Sequence, residues 1–322
     1  GCTEAACNPM IADSYTGKRM NTLMNRFHMW FPGGIVLGSL SSLFFTNLSL
    51  GWEVQMWYII IPTVIYAYLF YGQEFPKPRI SGDAAIVKNL KACFSPVFIF
   101  MIICMAFTAI SEFGPQQWTS LILSQSGAHP LVLLALTTGT MAIGRYFGGE
   151  FVHKFDQTGV LLISAVIAFI GLFLYSSQTG SIAYLAAIIF GAGICYFWPN
   201  MIGFVAEKIP ESGALGMSLV GAMGMFSSAI FQPVIGGWVD SATEQQEALG
   251  LTGNELQLAV GQTALTNMLL FPGILIVAFT ILYFWKKRPK TFEGLKRLKR
   301  HKKNPKDTEI QLIRHLALYY IR

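Results

Sequence analysis

The chain has 322 residues, of which 53% are hydrophobic and 12% charged, with a net charge of +6 and a mean hydropathy of +0.50. A soluble globular domain carries about 25% charged residues, so the composition excludes an ordinary soluble enzyme and predicts an all-α, polytopic membrane protein. Five scattered cysteines (Cys2, Cys7, Cys93, Cys104, Cys195) have no metal-ligand spacing and predict neither a disulfide framework nor a zinc site.

In chain order, the opening GCTEAACNPMIAD lacks the basic start and apolar core of a signal peptide and reads as the tail of a membrane span over 1–14. Measured against the ~20 residues that cross a bilayer core, complete spans are expected at 28–48, 54–72, 95–114, 130–150, 159–177, 182–206, 213–238 and 264–285. Between the second and third of these, residues 73–94 read as a linker with a short amphipathic helix from Asp83 to Lys91. Its lysines lie at headgroup level while Ile86, Val87 and Leu90 dip inward. Residues 239–263 are acidic and are expected to form an external loop, with a helical piece around Glu255 to Val260. The tail beyond Trp285 is polybasic, which attraction to anionic lipid explains; no nucleic-acid partner is implied.

The basic residues alternate with the spans. Lys18, Arg19 and Arg26, then Lys77, Arg79, Lys88 and Lys91, then Arg145 and Lys154, then Lys208 and the tail all fall on one side of the threading, whereas the other connectors carry only acids. The positive-inside rule makes that side cytoplasmic. The expected location is therefore a multi-pass inner-membrane protein with a cytoplasmic carboxyl terminus. The expected domains are 1–72, part of a first helical group; 73–94, the linker; 95–285, a second bundle; and 286–322, the tail.

The segment from Gly191 to Asp240 is rich in small residues and is interrupted by Trp198-Pro199-Asn200. Small residues let membrane helices approach closely. A proline in such a helix frees a carbonyl that is tolerated only where protein or a watery path satisfies it, so this segment is expected to line a cavity. It also has a counterpart. Asn8-Pro9-Met10-Ile11, a short turn and a Gly-rich helix recur as Pro199-Asn200-Met201-Ile202, a short turn and a Gly-rich helix. Both copies run the same way through the membrane, as in transporters whose halves are related by an axis along the membrane normal.

The Asn8-Pro9 pair, the NRFHMWFPGG run, Glu112 followed by Gly114 and Trp118, and the EKIPESGALG turn together resemble the major facilitator superfamily, and within it the fucose/glucose-type sugar symporters. The resemblance implies a helical bundle of that type. It makes the early copy helices four and five and the late copy helices ten and eleven of twelve, so that helices one to three are absent from this chain. The superfamily's signature loop, Gly-x-x-x-Asp-Arg, is met here by Gly149-Glu150-Phe151-Val152-His153-Lys154, with His153 at the acidic position; Glu150 or Asp156 could substitute in the charge relay.

The candidate residues follow from this frame. Glu112 lies near the end of an apolar helix, where it either binds a solute hydroxyl and carries a coupling proton or is an interfacial group without a partner. Glu4 is a second candidate for the proton. Trp198 can stack on a sugar ring, and Asn200, Gln232, Gln116 and Asn8 offer hydrogen bonds to a solute. Ser227, Ser228, Thr137 and Thr138 read as helix-to-helix bonds. Arg145, Glu150, His153 and Lys154 are expected at a cytoplasmic gate, with Arg145 paired to Glu150 or Glu207. His28 reads as a capping or interfacial residue.

No HExxH, P-loop, GxSxG or metal-spaced cluster occurs, so an enzyme is not expected, nor is a metal or cofactor. The expected function is secondary active transport of a small polar solute, a sugar by resemblance, by alternating access with protons as coupling ion, in a lipid-embedded monomer. Nucleosides or organic anions as solute, and a transporter-like sensor or inactive fragment, stand as alternatives.

Overall fold

Residues 2–74, 83–122 and 127–287 are described by the computed structural model, and they are helical almost throughout. The first group comprises α1 (Cys2–Ser14), α2 (Gly17–His28), α3 (Trp30–Asn47), α4 (Trp52–Trp57) and α5 (Ile60–Phe70). There follow α6 (Asp83–Cys93), α7 (Pro96–Ile122), α8 (Pro130–Ser177), α9 (Ser181–Ile194) and α10 (Phe197–Lys208). After a 3₁₀ turn at Pro210–Ser212 come α11 (Gly213–Ala248), α12 (Gly253–Met268) and α13 (Leu270–Lys287). The polybasic tail beyond Lys287 and residues 75–82 of the linker lie outside the described residues.

Seven stretches among the described residues are long and apolar enough to cross a membrane: Gly17–Asn47, Trp52–Phe70, Pro96–Trp118, Pro130–Ser177, Ser181–Lys208, Pro210–Ala248 and Gly253–Lys286. The longest is two crossings. Asp156 sits at φ 62°, ψ 155° inside α8, a backbone state that breaks a helix and that non-glycine residues seldom adopt. The chain reverses there, because Gly191 of α9 approaches Thr137 on the first limb while Gly193, two residues on, approaches Ala168 on the second. Counted so, the crossings number eight, with α1 as a partial ninth.

Two expectations about element boundaries are corrected. The span expected at 28–48 begins at Gly17, because the polar run GKRMNTLMNRFH is itself helical and buries one face of Met20, Asn21, Met24, Asn25 and His28. Those five positions fall on a single stripe of a 3.6-residue helix, and hydropathy alone discards them because two are asparagines. The loop expected over 239–263 is mostly helix, α11 running to Ala248 and α12 starting at Gly253. A water-exposed helix end needs no apolar residues to continue. The amphipathic helix expected at Asp83 to Lys91 is present as α6, with Ile86, Val87 and Leu90 exposed.

The described residues up to Thr280 form one compact unit, and those from Ile281 belong to another. Within the first, α8 packs most closely on α9, α7 on α11, and α2 and α3 on α8. Helix α1 packs on α11 and α2 on α10, the reciprocal pairing that a two-fold axis along the membrane normal generates. Helices α4 and α5 bury no residue and leave Trp52, Trp57, Ile61 and Leu69 exposed, as a lipid-facing surface would.

The α8–α9 contact depends on glycine. At Gly193 a methyl group would collide with the backbone of Ala168, and backbone cannot move aside as a side chain can. Gly193→Val is accordingly expected to cost about 1–3 kcal/mol by overpacking, read as a lower unfolding temperature in detergent. An unchanged transition would mean that the two helices do not meet there.

Candidate functional site

Prolines set up the site. An α-helical carbonyl normally accepts from the N–H four residues on, and proline has none. Pro32 therefore leaves the carbonyl of His28 without its helical donor, at the junction of α2 and α3. Pro199 does the same to the carbonyl of Cys195, at the junction of α9 and α10. Both orphaned acceptors are taken by one side chain: Arg145 donates from Nε to Cys195 O at 2.7 Å and from Nη1 to His28 O at 3.0 Å. Its third nitrogen, Nη2, donates to Glu112 Oε1 at 3.3 Å. Both members of this ion pair are buried, each 1% exposed.

A buried ion pair is tolerated only with excellent geometry and further hydrogen bonds, and the two proline-freed carbonyls supply them. Arg145 thus ties together α2, α7, α8 and the α9–α10 junction. It lies in the interior, and the expected pairing with Glu150 or Glu207 is replaced by Glu112. Nor is Glu112 an unpaired interfacial residue.

A second set of bonds lies beside the first. Trp198 donates from Nε1 to Glu4 Oε1 at 2.5 Å, linking α10 to α1. Asn8 Nδ2 donates to the same oxygen at 3.4 Å, and Asn8 Oδ1 lies 3.0 Å from His28 Nε2. Glu4, His28, Glu112, Arg145 and Trp198 line a cavity of about 250 Å³. Its apolar wall is aromatic, with Phe31 against Phe113 at 6.1 Å and Phe113 against Trp198 at 5.8 Å between ring centroids.

The remaining candidates are dispersed. Gln232 accepts from Trp118 Nε1 at 2.8 Å, joining α11 to α7, and Gln116 approaches Met141 Sδ at 3.5 Å; neither lines the cavity. Asn200 is buried at 1% exposure but does not line the cavity either. Thr138 and Ser227 bond backbone carbonyls at Leu134 and Ala106. Near the α8 break, Lys18 Nζ donates to His153 Nε2 at 2.6 Å, Lys154 lies over the Phe155 ring and Glu150 is exposed.

At this basic end α2, α8 and α10 are joined by side chains of which the sequence points only to Glu207. Gln157 Nε2 donates to Asn21 Oδ1 at 2.9 Å, and Asn21 Nδ2 donates to Glu207 Oε2 at 3.2 Å, so Asn21 bridges α8 and α10. Gly149 admits α2 closely, since a methyl group there would collide with Thr22.

The comparisons with known proteins agree with this architecture. A family profile described as Major Facilitator Superfamily matches residues 1–232. The chain belongs to this superfamily. Its members are transporters, so the chain is a multi-pass membrane transporter and not an enzyme. Among solved structures, a single-residue variant of the E. coli fucose:proton symporter FucP superimposes with a TM-score of 0.59 at 15% identity, covering 85% of this chain and 73% of that one. At that identity the likeness concerns the superfamily fold alone. A search of curated protein sequences returns no match.

Sequence alone does not place two residues at this centre. His28 was read as an interfacial cap and Arg145 as a gate. For His28 the available signal is Pro32, four residues on; Pro199 likewise marks the Cys195 carbonyl as needing a donor, without pointing to Arg145 as that donor. Trp198→Phe removes only the N–H donated to Glu4. It is expected to cost about 1.5 kcal/mol, the lower end for a bond to a charged group, because Glu4 is half-buried. A double-mutant cycle with Glu4→Gln in detergent, read by thermal unfolding, measures it; strictly additive single effects would mean that the two side chains do not interact.

Proposed function

We propose that the protein carries a small polar solute, a neutral sugar, across the cytoplasmic membrane by alternating access, coupled to protons. The observation that carries this reading is the cavity with its buried Glu112–Arg145 pair and the neighbouring Glu4–Trp198–Asn8–His28 bonds. An ionisable pair at membrane depth is costly and typically marks a substrate or proton path. Two carboxylates face the cavity against one guanidinium, and that guanidinium already serves two carbonyls. Such a lining disfavours organic anions. It suits hydroxyl groups, which donate to carboxylates, and the Phe31, Phe113 and Trp198 rings offer faces for the apolar side of a sugar. The E. coli fucose:proton symporter, similar in fold, supports the same solute class and coupling ion.

In this mechanism Glu112 takes a proton and ceases to be an ionic partner of Arg145. Arg145 keeps its bonds to the His28 and Cys195 carbonyls, so the helix junctions stay pinned while one arm of the guanidinium is released to solute or water. Glu4, held by Trp198 and Asn8, is the second carboxylate of the relay. The basic end, with Lys18, His153, Lys154 and Lys208, faces the cytoplasm by the positive-inside rule, and the protein works as a monomer. The test is uptake into proteoliposomes, under an imposed pH gradient, of a panel of radiolabelled monosaccharides, nucleosides and carboxylates. Accumulation of a monosaccharide that a protonophore abolishes is the expected result. Gradient-driven uptake of a carboxylate alone would remove the sugar reading.

A further inference from the structure

Between the cavity and the basic end lies a layer of buried amides with unmade hydrogen bonds. Helices α2 and α10 run antiparallel past each other: His28 and Trp198 share the cavity, while Asn21 and Glu207 meet at the far end. Asn25 lies three residues from His28 and Asn200 two residues from Trp198, about 4.5 Å and about 3 Å along their helices at 1.5 Å per residue. The two asparagines therefore share a depth immediately beyond the cavity, on its basic side. Each is 1% exposed. Asn25 gives its amide N–H to Asn21 O at 2.9 Å, but its Oδ1 has no partner. Asn200 has a partner for neither Oδ1 nor Nδ2. Gln157, also 1% exposed, leaves Oε1 unpaired while its Nε2 holds the Asn21 bridge.

Buried polar side chains are normally satisfied, and a neutral amide that is not leaves both donor and acceptor capacity for a ligand of the same kind. Among the described residues no charged side chain is bonded to Asn25, Asn200 or Gln157, and Glu207 is engaged by Asn21 and Lys208. A hydroxyl both donates and accepts and carries no charge, which matches Asn200 Oδ1 and Nδ2 together with the bare Asn25 and Gln157 oxygens. We propose that Asn25, Asn200 and Gln157 form a second, transit station for the hydroxyl groups of a neutral polyhydroxylated solute, with Asn21 as the clasp that closes it toward the basic end. This rests on the transport reading above and adds to it a binding step outside the cavity. In the closed arrangement the Asn21 bonds to Gln157 and Glu207 hold α2, α8 and α10 together. When they part, the solute leaves the cavity along amides instead of charges.

The test is thiol labelling in a chain whose five native cysteines are alanine, with 2-aminoethyl methanethiosulfonate as probe and Phe31→Cys reporting the cavity. Asn200→Cys and Asn25→Cys are each made with and without Asn21→Ala, so that if one fails to fold the other carries the measurement. The expected result is labelling of Phe31→Cys in both backgrounds, labelling at 25 or 200 that quickens about tenfold once the two clasp bonds are lost, and slowing of that reaction by whichever of fucose or glucose is taken up in proteoliposomes. If Phe31→Cys reacts while 25 and 200 stay inert even with Asn21→Ala, the station is overturned and the cavity stands. If they react but neither sugar slows them, the layer passes water only and the solute claim is overturned. If Phe31→Cys is also inert, the cavity reading falls with the station.

Discussion

Arg145→Leu is expected to destabilise the protein by about 3–5 kcal/mol, the usual cost of removing one member of a buried ion pair. Two effects add to the loss. Glu112 would be left as an uncompensated carboxylate in the interior, and the His28 and Cys195 carbonyls, already denied their helical donors by Pro32 and Pro199, would lose the only bonds described for them. Since the total stability of a domain is about 5–15 kcal/mol, the variant is expected to yield little monodisperse protein in detergent. Arg145→Lys retains the charge but not the planar fork that reaches three acceptors at once, so it is expected to rescue only in part. Full stability in Arg145→Leu would mean that the two helix junctions are held by something other than this side chain.

The second large effect concerns coupling. Glu112→Gln keeps the shape of the side chain and an oxygen that can still accept from Arg145 Nη2, so the fold is expected to survive. What it removes is the ability to exchange a proton. Gradient-driven accumulation is expected to fall to the level of protein-free liposomes, while exchange of internal for external solute persists. That separation distinguishes a coupling role from a binding one, since loss of both would place Glu112 among the solute's ligands alone. Undiminished accumulation would move coupling to Glu4, whose carboxylate is held by Trp198 and Asn8.

How much of this could be read from the sequence differs between its layers. The spans were legible because hydrocarbon imposes a length and an apolar composition on any helix that crosses it, and the Trp198-Pro199-Asn200 break was legible as a freed carbonyl in need of a partner. The identity of that partner was not. Arg145 lies 33 residues from Glu112 and 117 from His28, and only the folded bundle brings them together, so an arginine near a helix end looked like a gate. The polar stripe of α2 was lost for a related reason: Asn21, Asn25 and His28 lower the hydropathy of a helix whose buried face they form. The same property put a loop at 239–263, where the helices continue past the apolar region.

The repeat was legible in its order more than in its environment. Met201 and Ile202 are fully buried whereas Met10 and Ile11 are half-buried. The correspondence is expressed in the crossed packing of α1 on α11 and α2 on α10, and in two prolines whose freed carbonyls, one from each copy's neighbourhood, converge on Arg145. The bonds at the basic end were the least legible feature, because two of the three side chains involved, Asn21 and Gln157, are neutral amides that leave no charge pattern to find.

The most direct test of the central claim, that the cavity around Glu112 and Arg145 carries a sugar together with a proton, is the simultaneous measurement of sugar and proton entry. Proteoliposomes containing the protein would be given a monosaccharide in lightly buffered medium without an imposed gradient, while the external pH is followed. The account predicts alkalinisation of the medium that begins with sugar addition, is absent in Glu112→Gln and is abolished by a protonophore. Sugar entry with no change in external pH would contradict it.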